Sequence, residues 1–181
     1  MAVCKNGRNI SLLIEGYPRC GLELFSRIVG SGPWGVCITR LHPSYVGQKF
    51  GLKAAKCYWL SGCKGDAVLS PRSLSGIVGK IRSEVAGRQE GIVYLDGLEY
   101  LLLYNDGGKV MQMLEDIDAI LAKSEVTMLI SIDPLTLEPR DVAKLYDAYP
   151  RCTPDEAASS LLRQLPQRIA AAVPSSASQT V

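Results

Sequence analysis

Apolar runs of strand length alternate with segments of helical periodicity from Ile10 to Tyr149, and no other feature of this sequence restricts its fold so much. Ile10-Ser-Leu-Leu-Ile14, Gly35-Val-Cys-Ile-Thr39, Cys57-Tyr-Trp-Leu60, Gly91-Ile-Val-Tyr-Leu-Asp96 and Val126-Thr-Met-Leu-Ile-Ser-Ile132 show little polar alternation, as strands covered on both faces must. Between them, Leu22, Phe25, Ile28 and Val29 recur at helical spacing, as do Leu74, Ile77, Val78, Ile81 and Val85. Val110, Met113, Leu114, Ile117 and Leu121 form a third such set, and Val142, Leu145, Tyr146 and Tyr149 a fourth. Pro43 and Gly51 bracket a short helix over 42–50, while Ser70 and Pro71 read as the cap and first residue of the helix through Val85. Strands separated by helices imply a mainly parallel sheet with right-handed crossovers. Helices then cover both faces, giving a three-layer α/β/α domain.

This domain is expected over residues 1–150. Residues 151–172 read as an amphipathic helical appendage, with Leu161, Leu162, Leu165 and Ile169 on one stripe and a kink at Pro166. The uncharged segment 173–181 reads as a disordered tail. At 181 residues the chain suits one domain, and its 47% hydrophobic and 21% charged content excludes wholesale disorder. No apolar run approaches the roughly 18 residues of a membrane span, and no secretory signal is visible. A cytoplasmic protein without a membrane partner is the expectation.

The net charge of +2 conceals an asymmetry: residues 1–90 carry 13 Lys and Arg against 5 Asp and Glu, and residues 91–181 carry 7 against 13. Such a split can mark a polyanion-binding face. The basic residues are scattered, however, and a sheet that interleaves the two halves sets opposite charges side by side. Six cysteines, at 4, 20, 37, 57, 63 and 152, form no C-x-x-C pair, and the single His42 supplies no second ligand nearby, so no metal is expected. Cys37 and Cys57 sit in apolar strands as small buried hydrophobes, with a Cys57–Cys63 disulfide across a turn as an alternative.

The first strand-to-helix turn, Glu15-Gly-Tyr-Pro-Arg-Cys-Gly-Leu-Glu23, places Gly16 and Gly21 at the G-x-x-x-x-G spacing of a phosphate-binding loop, in the context such a loop requires. The chemistry is missing. Leu22 stands at the lysine position, and Glu23 stands where a hydroxyl would hold Mg²⁺. Arg19 adds a positive charge with the wrong geometry to replace that lysine. The strand ending in Asp96 has the form of a Walker B acid, with Glu99 placed to polarise a water. Asp96-Gly-Leu-Glu99 equally matches a capping box for the next helix, and without the lysine the capping role is preferred. Asp133 before Pro134 reads first as a turn or cap.

Ser11-Leu-Leu-Ile-Glu-Gly16 with Gly21 resembles the first strand and loop of RecA/KaiC-like ATPases with the key residues lost. Gly35-Val-Cys-Ile-Thr-Arg40, Pro43, Trp59-Leu-Ser61, Ser70-Pro71, Leu95-Asp-Gly-Leu-Glu-Tyr-Leu101 and Ser131-Ile-Asp-Pro134 resemble an archaeal family known only as domain of unknown function 835. The resemblance implies a RecA-like sheet in an archaeal cell, with no reaction attached. It also implies that the strand over 126–132 lies between the first strand and the Asp96 strand, bringing Asp96, Glu99 and Asp133 to the edge that holds Gly16, Arg19 and Gly21. The chain is therefore expected to be no enzyme and to need no cofactor: a regulatory or protein-interaction domain on a decayed scaffold, with a role in signalling. A nucleotide-binding or ATPase domain with an atypical phosphate loop is the first alternative. A nucleic-acid or ribosome-associated factor is the second, without an aromatic-basic motif to support it.

Overall fold

Each apolar run named above is a strand. A computed structural model of the chain describes residues 8–52 and 55–159. In chain order the elements are β1 (Ile10–Ile14), α1 (Arg19–Gly30), β2 (Trp34–Thr39), α2 (Pro43–Phe50), β3 (Lys56–Leu60), β4 (Val68–Leu69), α3 (Leu74–Val85) and β5 (Glu90–Asp96). There follow α4 (Leu98–Tyr104), α5 (Gly107–Leu121), β6 (Glu125–Ile132), a 3₁₀ turn (Pro134–Thr136), α6 (Pro139–Ala148) and β7 (Arg151–Cys152). The strands form one seven-stranded sheet in the order β4-β3-β2-β5-β6-β1-β7, parallel throughout. As the resemblance implies, β6 lies between β1 and β5.

Side chains alternate between the two faces, so each strand feeds both apolar layers. Leu12, Ile38, Leu95 and Ile130 join the layer with α3, α4 and α5, while Leu13, Cys37, Tyr94 and Leu129 join the layer with α1 and α2. The fold is thus the expected three-layer α/β/α arrangement. Its interleaved strands also bring the two charge halves together. Arg8 pairs with Asp118 at 3.0 Å, and Arg40 pairs with both Asp96 and Glu99.

Several boundaries differ from the sequence reading. α3 starts at Leu74, and its cap is Ser73, whose Oγ accepts from the Gly76 N–H. Ser70 and Pro71 instead belong to a turn, because Leu69 still pairs with Leu60 in the sheet and the chain must reverse before a helix can begin. Segment 98–104 is a separate helix ahead of α5. Asp106 caps α5 through the Gly108 N–H. The sheet also continues past the boundary expected at 150: β7 pairs with β1, and a helical stretch over 154–159 buries Ala157 beside Leu13 and Phe25. Thr153 and Glu156 close that stretch with a capping box. The expected stripe over 161–169 and the tail over 173–181 lie outside the described residues.

Two glycines give opposite expectations for stability. A Cβ on Gly91 would meet the Trp34 carbonyl oxygen at 2.7 Å, so Gly91→Ala should cost about 1–3 kcal/mol, as overpacking does. Gly79, inside α3, has open space around its Cα, so Gly79→Ala should gain about 0.5–1 kcal/mol by restricting the unfolded chain. Urea denaturation of both variants measures the pair.

Candidate functional site

β1 ends by delivering Glu15 directly onto the start of α1. α1 has Pro18 at its N-cap and no side-chain cap of its own, so its first amides need acceptors from elsewhere. Both Glu15 carboxylate oxygens accept from the Gly21 N–H, at 3.0 and 3.2 Å, and the Cys20 N–H also faces the carboxylate. Ser131 at the end of β6 donates to Glu15 Oε1 at 2.7 Å, and Tyr94 of β5 donates at 3.4 Å. The carboxylate therefore occupies the position that an anion would take at a helix N-terminus. A Cβ on Gly21 would lie 2.4 Å from Glu15 Oε1 and 2.6 Å from the Tyr94 hydroxyl, so glycine is what lets these groups converge. Burial pushes the Glu15 carboxyl above its ordinary range, against the pull of Ser131, Gly21, Cys20 and Tyr94. Burial and the Glu15 charge hold the Tyr94 phenol well above its usual value, so it stays a donor.

One step along the same edge, the sheet register brings β2 and β5 to a common end. Ile38 pairs with Leu95, which sets Thr39 beside Asp96. Thr39 donates to Asp96 Oδ2 at 2.8 Å, and Arg40 Nε donates to Oδ1 at 3.2 Å. A second nitrogen of Arg40 reaches Glu99. Glu99 is brought back over Arg40 because α4 starts immediately after Gly97, whose φ of 106° only glycine adopts readily. Asp96 therefore does not cap α4, contrary to the preferred sequence reading. Its carboxylate turns sideways to β2, where the Thr39 hydroxyl and the half-exposed Arg40 guanidinium hold it by charge-assisted hydrogen bonds. Burial raises the Asp96 and Glu99 carboxyls, and Arg40 draws both back down.

The remaining candidates sort plainly. Asp133 accepts from the Leu135 N–H and caps the 3₁₀ turn, with its other oxygen beside Gly16. Arg19 pairs with Glu23 at 3.1 Å on the exposed side of α1, away from the acids. His42 caps α2 by accepting from the Ser44 N–H and packs edge-on against Trp59. Cys57 and Cys63 are both free thiols. No group of three or more metal-ligating residues occurs among the described residues. Sequence reasoning missed Glu15, Ser131, Tyr94, Thr39 and Arg40 as members of this site. Only Glu15 and Arg40 carried a signal, each a charge placed immediately after an apolar strand.

Among the described residues, five large apolar side chains stand exposed: Tyr17, Tyr45, Leu103, Tyr104 and Leu135. Each lies on a segment that leaves the carboxyl end of a strand, namely the turn after β1, α2 after β2, α4 after β5 and the 3₁₀ turn after β6. Fold and site together define a parallel α/β domain whose first strand-to-helix turn is closed by its own carboxylate. A family model described as a protein of unknown function, DUF835, matches residues 18–147, and the chain belongs to that family. The matched span runs from the start of α1 into α6, leaving β1 and Glu15 outside it. No curated protein matches the sequence.

Arg40 is the test of this edge. A carboxyl raised in the folded state binds its proton more tightly there than in the unfolded chain. The cost of ionising it is absent below the ordinary value and appears as pH climbs through the raised one. Arg40→Gln removes the counter-charge and widens that window. The variant should lose about 2–3 kcal/mol near neutral pH, less than for a fully buried pair because the Arg40 side chain is 38% exposed. The deficit should shrink as pH falls toward 5, read from denaturation curves of wild type and variant across pH.

Proposed function

We propose that this domain is a non-catalytic regulatory or protein-interaction module, built on a RecA-like scaffold in an archaeal cell and serving in signalling. The observation that carries the reading is the Glu15 carboxylate on the Gly21 amide. A nucleotide phosphate entering this turn must displace an anion the chain supplies itself, without the lysine that usually draws the phosphate in. Asp96, the acid best placed for Mg²⁺, is engaged by Thr39 and Arg40. Tyr17, Tyr45 and Leu135 surround this closed turn with exposed apolar surface, which is costly in water and useful at an interface. A partner offering apolar side chains beside basic groups complements them and the nearby acids Glu99 and Asp133.

Two measurements separate this reading from its rivals. Titration calorimetry with ATP and Mg²⁺ should show no binding, and a micromolar Kd would overturn the non-catalytic reading. Affinity capture should be run with wild type and with the folded double variant Tyr17→Ser, Leu135→Asp. At least one captured protein should fall more than tenfold in the variant, and equal recovery of every protein would remove the proposed surface. RNA or DNA binding that collapses with added salt would favour the nucleic-acid reading instead.

A further inference from the structure

β2 and β3 each carry one cysteine, and the parallel ladder sets them opposite each other: Cys37 is the register partner of Cys57. Residues matched in register project to the same face, and both thiols lie in the apolar layer with Phe25, Val46 and Phe50. Neighbouring strands run about 4.8 Å apart, within the roughly 4.4–6.8 Å between Cα atoms that a disulfide spans. The two thiols are close enough to shift each other's ionisation in opposite directions. They differ in access, since Cys37 is fully buried and Cys57 is partly exposed.

We infer that Cys37 and Cys57 form an oxidisable dithiol, a modification site that closes to a disulfide across β2 and β3 when it meets a low-molecular-weight disulfide such as oxidised glutathione. The neighbouring Cys37 lowers the Cys57 thiol, whereas Cys57 and burial raise Cys37. The reachable sulfur is thus the better source of thiolate. Cys57 thiolate attacks one sulfur of the small disulfide, breaks its S–S bond and releases one small thiolate. Cys37 then passes its proton to that thiolate and attacks Cys57 Sγ, releasing the second small thiolate. Two protein thiols lose two electrons in all, and the small disulfide is reduced to two thiols. Cys20 and Cys63, both exposed, have no described thiol opposite them and would stop at mixed disulfides. The bridge would form two residues before Thr39, and so would stiffen the strand end that presents Thr39 and Arg40 to Asp96.

The test incubates the full folded chain with oxidised glutathione, alkylates free thiols and maps the digest by mass spectrometry. The expected result is a Cys37–Cys57 cross-linked peptide two hydrogens lighter than the separate peptides, with loss of both alkylation sites and recovery under dithiothreitol. Cys37→Ser should halt the reaction at a glutathione adduct on Cys57. A bridge between other cysteines, or Cys37 and Cys57 both still alkylated when Cys20 and Cys63 are modified, would overturn the proposal. The wild-type map decides the matter alone if that variant fails to fold.

Discussion

The contact between the Glu15 carboxylate and the first amides of α1 sets the terms for the rest of this edge. It joins four elements: β1 supplies the acid, α1 the N–H groups, β6 the Ser131 hydroxyl and β5 the Tyr94 hydroxyl. A helix start of this kind attracts any anion. An internal carboxylate is tethered by a few residues and so acts at an effective concentration of millimolar or above. A free phosphate would have to outcompete it and then bear its repulsion once displaced. The turn has no lysine, and its one arginine, Arg19, is paired with Glu23.

The same logic governs the neighbouring acids. Asp96 and Glu99 share one guanidinium, so this part of the edge keeps an excess negative charge in a partly desolvated place. That arrangement exists only because β2 lies beside β5 and because Gly97 lets α4 begin without a connecting turn. Arg40 comes from the basic half of the sequence and its two partners from the acidic half. Part of the charge asymmetry of the chain is thereby answered inside the fold, here and where Arg8 meets Asp118.

The strands were legible because both-face burial leaves a continuous apolar run, as in β5 and β6. Apart from β6 between β1 and β5, which the resemblance implied, their neighbours were not. Register is a tertiary property, and nothing near Cys37 in the sequence points to Cys57. β4 and β7 are two residues each, too short to carry a pattern. Ser70-Pro71 has the local chemistry of a helix start, but the pairing of Leu69 with Leu60 overrides it. Asp96 fits a capping box in every local respect, and only the arrival of Arg40 from another strand changes its role. In each case a local preference worth about 1 kcal/mol yielded to a tertiary contact worth more.

The division between layers and edge separates what holds this fold together from what its loops carry. Ile10, Leu12, Leu13, Ile38, Ile92 and Leu95 are fully buried, and their packing is indifferent to what the loops at the strand ends carry. In a parallel sheet those loops converge at one edge, where ligands are ordinarily held. Glu15 satisfies, from within the chain, helix amides that would otherwise attract an anion. Arg40 likewise answers the Asp96 carboxylate. With both charges answered internally, these loops need no ligand for stability. Side chains such as Leu135, 94% exposed, add nothing to the core and leave apolar surface facing solvent.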